Sequence, residues 1–221
     1  MSNILQIGYT TEGTTDIRFL ENIIRKSFEK VILECDTEIE VYQPEHLRKE
    51  GNGFVEQIRG LVRKYPYFHV ICVHSDSDSS DMNNVLQNKI TPAFIAVNEI
   101  EGSACKNLVA LIPVQMTEAW MMADLNLLKE KIGTNKSNEE LGLPVRVNAI
   151  ESISDPKNVI NEALRVAQEE QSRRRKKLTI SQLYSPISQE LTIEQLEVLP
   201  SYKVFLENVR NSLRILNYLH D

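Results

Sequence analysis

Four carboxylates stand where a short apolar run gives way to a polar loop. Glu12 lies in Tyr9-Thr10-Thr11-Glu12-Gly13-Thr14-Thr15-Asp16, after the first run. Asp76 and Asp78 lie in Val73-His74-Ser75-Asp76-Ser77-Asp78, after a central one. Glu118 follows a third run, over residues 108–114, and opens a helical pattern. Gathered together, such groups repel one another unless a positive charge sits among them. The natural counter-charge for oxygen ligands is a hard cation, Mg²⁺ or Mn²⁺, as one or two ions. Such ions activate water, orient phosphates and stabilise a leaving oxygen, so the chemistry suggested is phosphoryl or phosphodiester transfer. Each piece has a bland alternative. A Glu-Gly turn is common, Asp and Ser fill loops for local hydrogen bonding, and Glu118 also suits the first turn of a helix as a partner for its dipole.

The elements that must position these groups alternate. Residues 4–9, 38–42, 69–74 and 108–114 read as strands. Residues 16–30, 53–64, 81–97 and 117–131 carry apolar residues at helical spacing, with Thr117 a candidate cap and Pro92 a start or kink. The rhythm predicts an α/β fold, a mostly parallel sheet of four or five strands flanked by helices. Loops at the carboxyl ends of parallel strands open on one edge, where ligands gather. The chain divides into a metal-binding domain over 1–131 and a mainly helical C-terminal extension over 132–221 packed on it. Helices are expected at 156–170, from 192 up to Pro200, and at 201–218.

A chain of 221 residues, 42% hydrophobic, is large enough for a real core and too apolar for disorder. No apolar run reaches membrane-spanning length, and the first residues lack the basic and apolar stretches of a secretory signal. Cys35, Cys72 and Cys105 are far apart, against a zinc site or a disulfide scaffold, so a reducing cytoplasm is expected. The net charge of −6 excludes a globally basic nucleic-acid coat. Residues 1–124 carry −7 and residues 125–221 carry +1. The second part contains the dense run Arg173-Arg174-Arg175-Lys176-Lys177, either a solvated cluster or a clamp for a DNA or RNA backbone. There is no Gly-x-x-x-x-Gly-Lys loop, so any ATP requirement would fall to a partner chain.

Glu12-Gly13-Thr14-Thr15-Asp16 after a first strand, with Asp76-Ser77-Asp78 after a later one, resembles the Toprim signature of topoisomerases, bacterial primases and OLD-type nucleases. The block Pro113-Val114-Gln115-Met116-Thr117-Glu118-Ala119-Trp120-Met121-Met122-Ala123-Asp124 is similar to one in small bacterial Toprim-like proteins, as are Ser154-Asp155-Pro156-Lys157 and the basic stretch ahead of Tyr184. In this chain His74 and Ser75 stand between the apolar strand and Asp76. The resemblance implies a Toprim-like fold in which Glu12, Asp76 and Asp78 bind metal and Glu118 completes a second site. It also implies a lysine beyond the acidic residues, for which Lys177 and Lys176 are candidates, facing the developing oxyanion.

The function expected is Mg²⁺- or Mn²⁺-dependent cleavage of nucleic acid, such as a phage-defence effector would perform. The alternatives are a non-enzymatic or partner-activated module bound to an ATPase, and a phosphohydrolase of small esters. Asp16 and Asp81 read as caps or orienting groups. Asp124, about 120° round a continuous helix from Glu118, reads as a structural acceptor. Trp120, Met121, Met122 and Cys72 read as core, and one of His69 and His74 as an interior hydrogen-bonder.

Overall fold

The computed structural model describes residues 3–169 and 177–220. Its strands are β1 (Asn3–Leu5), β2 (Ile7–Thr10), β3 (Ile39–Val41), β4 (Glu45–His46), β5 (Val70–His74) and β6 (Leu108–Leu111). β4, β2, β5 and β6 form a four-stranded parallel sheet in that order, and β1 pairs with β3 in a separate parallel ribbon. The expected strand over residues 4–9 is therefore two strands. The break is at Gln6, whose N–H donates to His69 Nδ1 at 3.0 Å instead of to a neighbouring strand.

The helices of the first part are α1 (Ile17–Val31), α2 (Phe54–Lys64), α3 (Asn83–Val85), α4 (Thr91–Asn98), α5 (Thr117–Met121) and α6 (Leu125–Ile132). Between α3 and α4, Leu86–Ile90 forms a wider, π-helical turn, a local irregularity that often marks a functional site. The expected helix over 117–131 breaks at Met122–Asp124. Asp124 is the N-cap of α6, its Oδ1 accepting from the Asn126 and Leu127 N–H groups at 2.8 and 3.0 Å. In the second part follow α7 (Pro156–Ala167), α8 (Tyr184–Glu190), α9 (Ile193–Leu196) and α10 (Pro200–Ile215).

β5 is buried along its whole length, so its alternate side chains feed two cores. Val70 and Cys72 join α1, α5, α8 and α10 on one face, with Phe28, Trp120, Tyr184 and Tyr202 among the residues buried there. Ile71 and Val73 join α2 and α4 on the other, against Ile58, Val62, Ala93 and Val97. The C-terminal segment thus shares the larger core rather than building its own. Trp120 is fully buried, stacks edge-on to Tyr202 at 5.2 Å and donates to Ser201 Oγ at 2.8 Å.

This layering positions the site. After β2 the chain leaves to α1 on one face; after the adjacent β5 it leaves to α3 and α4 on the other. Adjacent strands whose connections diverge leave a crevice at their carboxyl ends, where open α/β sheets bind ligands. Glu12 and Asp76 are on the two loops that flank it.

Candidate metal centre

The loop after β5 continues the sheet's pairing past the last strand residues. Ser75, Ser77 and Asp78 N–H groups donate to the carbonyls of Leu111, Pro113 and Gln115 at 3.1, 3.1 and 2.9 Å. This zipper carries Thr117 and Glu118 up to Asp76. It also forces two non-glycine residues into left-handed backbone, Asp78 at φ +50° and Gln115 at φ +61°. Such conformations cost free energy and persist where the surroundings over-determine them, often at functional sites.

Asp76 is the hub. Its Oδ1 accepts from the Thr117 N–H at 3.0 Å, the Thr117 hydroxyl at 3.4 Å and His74 Nε2 at 3.2 Å. Its own N–H donates to Glu12 Oε2 at 3.1 Å, which joins the first two acidic segments. Glu12's N–H donates to His74 Nδ1 at 3.3 Å. A ring nitrogen that accepts carries no proton, so the His74 proton is on Nε2, facing Asp76.

Asp16, expected as a cap or orienting group, lies at the centre itself. It stands at the start of α1, yet its side chain does not cap the helix. The carboxylate turns back to accept the Gly13 N–H at 2.9 Å, and a Cβ at Gly13 would lie 2.8 Å from Asp16 Oδ2. Asp16, His74 and Asp76 bring one ligand atom each within 4.8 Å of one another, a group that could hold a metal ion. Burial pushes the Asp16 carboxyl above its usual range; His74 opposes this, and Asp76 and Glu118 add to it. With Nε2 facing Asp76 Oδ1, the His74 imidazole orients that carboxylate.

Glu118 is 3% exposed and is answered by its own chain. Tyr184 Oη donates to Oε1 at 2.5 Å, and Lys157 Nζ lies 3.3 Å from the same atom. Burial and this carboxylate both drive the Tyr184 phenol far up. Asp78 is exposed. Burial raises its carboxyl, as do Asp76 and Glu12, while Lys89 opposes. Lys89, from the π-helical turn, pairs with Glu12 Oε1 and donates to Ser75 Oγ at 2.9 Å. It also sits 5.0 Å from the centre of the Phe54 ring, with Lys49 Nζ 5.5 Å from that centre.

The structure therefore brings Glu12, Asp76, Asp78 and Glu118 to one edge of the sheet, and adds Asp16, His74, Thr117, Tyr184, Lys89 and Lys157. Lys177 lies instead in a groove with Asn161, Arg165 and Gln168, and among the described residues it makes no ion pair with these carboxylates. Arg173, Arg174, Arg175 and Lys176 lie outside the described residues. Asp81 accepts the Asn83 N–H at 2.9 Å, a local turn role. No helix is long and apolar enough to cross a membrane among the described residues.

Asp16, His74 and Asp76 form a group that could hold a metal ion. Glu12 lies beside this group, with Oε2 accepting the Asp76 N–H and Oε1 paired with the Lys89 ammonium. Comparison with protein-family models, with curated proteins and with solved structures yields no match to this chain.

Proposed function

We propose that the chain is a Toprim-like nuclease that cleaves phosphodiester bonds in nucleic acid with Mg²⁺ or Mn²⁺. The observation that carries this reading is the convergence of Asp16, His74 and Asp76 at the carboxyl ends of β2 and β5, with Glu12 accepting the Asp76 N–H beside them. Asp16, Asp76 and Glu12 would hold one ion, with Asp78 at the exposed side and Glu118 nearest a second position. When bound, a divalent ion supplies an activated water and neutralises charge on the phosphate. The chain's own groups supply orientation and charge. His74 and Thr117 fix Asp76 by hydrogen bonds to a single oxygen, so its direction is set before substrate arrives. Lys89 keeps an ammonium at the mouth of the crevice, where it can face charge that develops on a phosphate oxygen.

Purified protein is expected to cut plasmid, single-stranded DNA or RNA with Mn²⁺ or Mg²⁺. Glu12→Ala and Asp76→Ala should remove that activity and leave the fold intact. Retained cleavage in both variants would reject the assigned site.

A second reading has one observation in its favour. Glu12 and Glu118 are already paired with lysines of the same chain. That arrangement suits a module whose site opens when an ATPase partner binds. A metal-dependent thermal shift without cleavage by the isolated chain would select it.

A further inference from the structure

A cavity of about 180 Å³ has Glu12 in its wall. Its wall includes Thr10, Glu12, Thr14, His46, Arg48 and Lys49. At about 30 Å³ per water it has room for a phosphoryl group.

Three features of the wall point to an anion. Thr10 is 1% exposed, and its Oγ1 has no hydrogen-bond partner, an unsatisfied buried hydroxyl of the kind native structures rarely leave without a purpose. Arg48 and Lys49 make no ion pair among the described residues, and the Lys49 ammonium lies against the Phe54 ring. The carboxylate that shares the wall, Glu12, is already neutralised by Lys89. The local balance is thus positive in a chain whose net charge is −6. His46 is held by Thr11 Oγ1 at 3.3 Å and by edge-on contact with Tyr9, so it forms a fixed polar side of the cavity.

We propose that this cavity is a phosphate-binding subsite formed by Thr10, Arg48 and Lys49. In the nuclease reading above, on which this last step rests, it receives the backbone phosphate next to the one at the acidic centre. The Thr10 hydroxyl would donate to a phosphate oxygen, and the guanidinium and ammonium would supply charge without reading a base.

The test needs no catalysis. Isotope-labelled full-length protein is titrated in EDTA with inorganic phosphate, and separately with a short oligothymidylate, while backbone amide shifts are followed. Saturable shifts are expected at Thr11, Gly13, Thr14 and Lys49 with both probes, larger at equal concentration for the oligonucleotide. Arg48→Gln/Lys49→Gln should weaken both at least tenfold, and Thr10→Val severalfold. Unchanged shifts far from the cavity verify that each variant is folded. No saturable shift, or equal binding by the charge variants, overturns the subsite whatever the cleavage assay gives. Binding of inorganic phosphate alone overturns its assignment to nucleic acid. Phosphate and oligonucleotide binding by a protein that never cleaves would uphold the subsite and reject the catalytic reading instead.

Discussion

Replacing Tyr184 with phenylalanine tests how the C-terminal part supports the acidic centre. Tyr184 is fully buried and its hydroxyl donates to Glu118, itself 3% exposed. The change keeps the ring and its packing and removes one donor from a buried carboxylate. A hydrogen bond to a charged group contributes about 1.5–3 kcal/mol, and the group left behind keeps its desolvation penalty. Lys157, at 3.3 Å and half-exposed, remains to offset part of that. The expected loss is about 2 kcal/mol. With a urea dependence of about 2 kcal/mol per molar, the unfolding midpoint should fall by about 1 M. In a Glu118→Gln background the same change should cost about 1 kcal/mol less, since the acceptor is then neutral. A loss below about 0.5 kcal/mol, or an equal loss in both backgrounds, would refute a stabilising role for the Tyr184–Glu118 hydrogen bond.

Three further outcomes are expected. Burial raises the Asp16 carboxyl from its ordinary 3.8, so its stability contribution is full below that value and is lost as pH rises through the folded-state pKa. Asp16→Asn should therefore gain stability over the wild type as pH climbs from about 4 toward neutrality in EDTA, by denaturant titration, and should lack the Mn²⁺ stabilisation expected of the wild type. Asp124→Ala removes the cap of α6 and the Gln195 contact and should cost about 1–2 kcal/mol in chemical unfolding. Lys89→Met removes the ammonium that competes for Glu12 and should tighten Mn²⁺ binding severalfold by calorimetry; weaker binding would contradict the competition.

The α/β alternation was legible because β5 and its neighbours are continuous apolar runs, and because α1 and α2 keep one apolar stripe each. Asp124 shows a signal that could have been used. An aspartate ahead of Leu-Asn-Leu-Leu is a cap signature, and taking it as one would have split the expected helix over 117–131. Asp16 shows a limit of the same rule. It occupies a cap position, but the missing Cβ of Gly13 lets the carboxylate fold back toward His74 and Asp76. The lysines were hidden for a different reason. Lys89 meets Glu12 across 77 residues of sequence, and only the folding of the π-helical turn over the strand ends brings them together. The basic run drew the eye to Lys177, whereas Lys89 and Lys157 are isolated in sequence and adjacent to the carboxylates in space.

Paramagnetic resonance of Mn²⁺ titrated into the purified chain asks whether the crevice between β2 and β5 is a divalent-cation site. One or two saturable ions per chain are expected in the wild type and none in Asp76→Ala/Asp78→Ala. Equal binding by the double variant, or no saturable binding by the wild type, would contradict it.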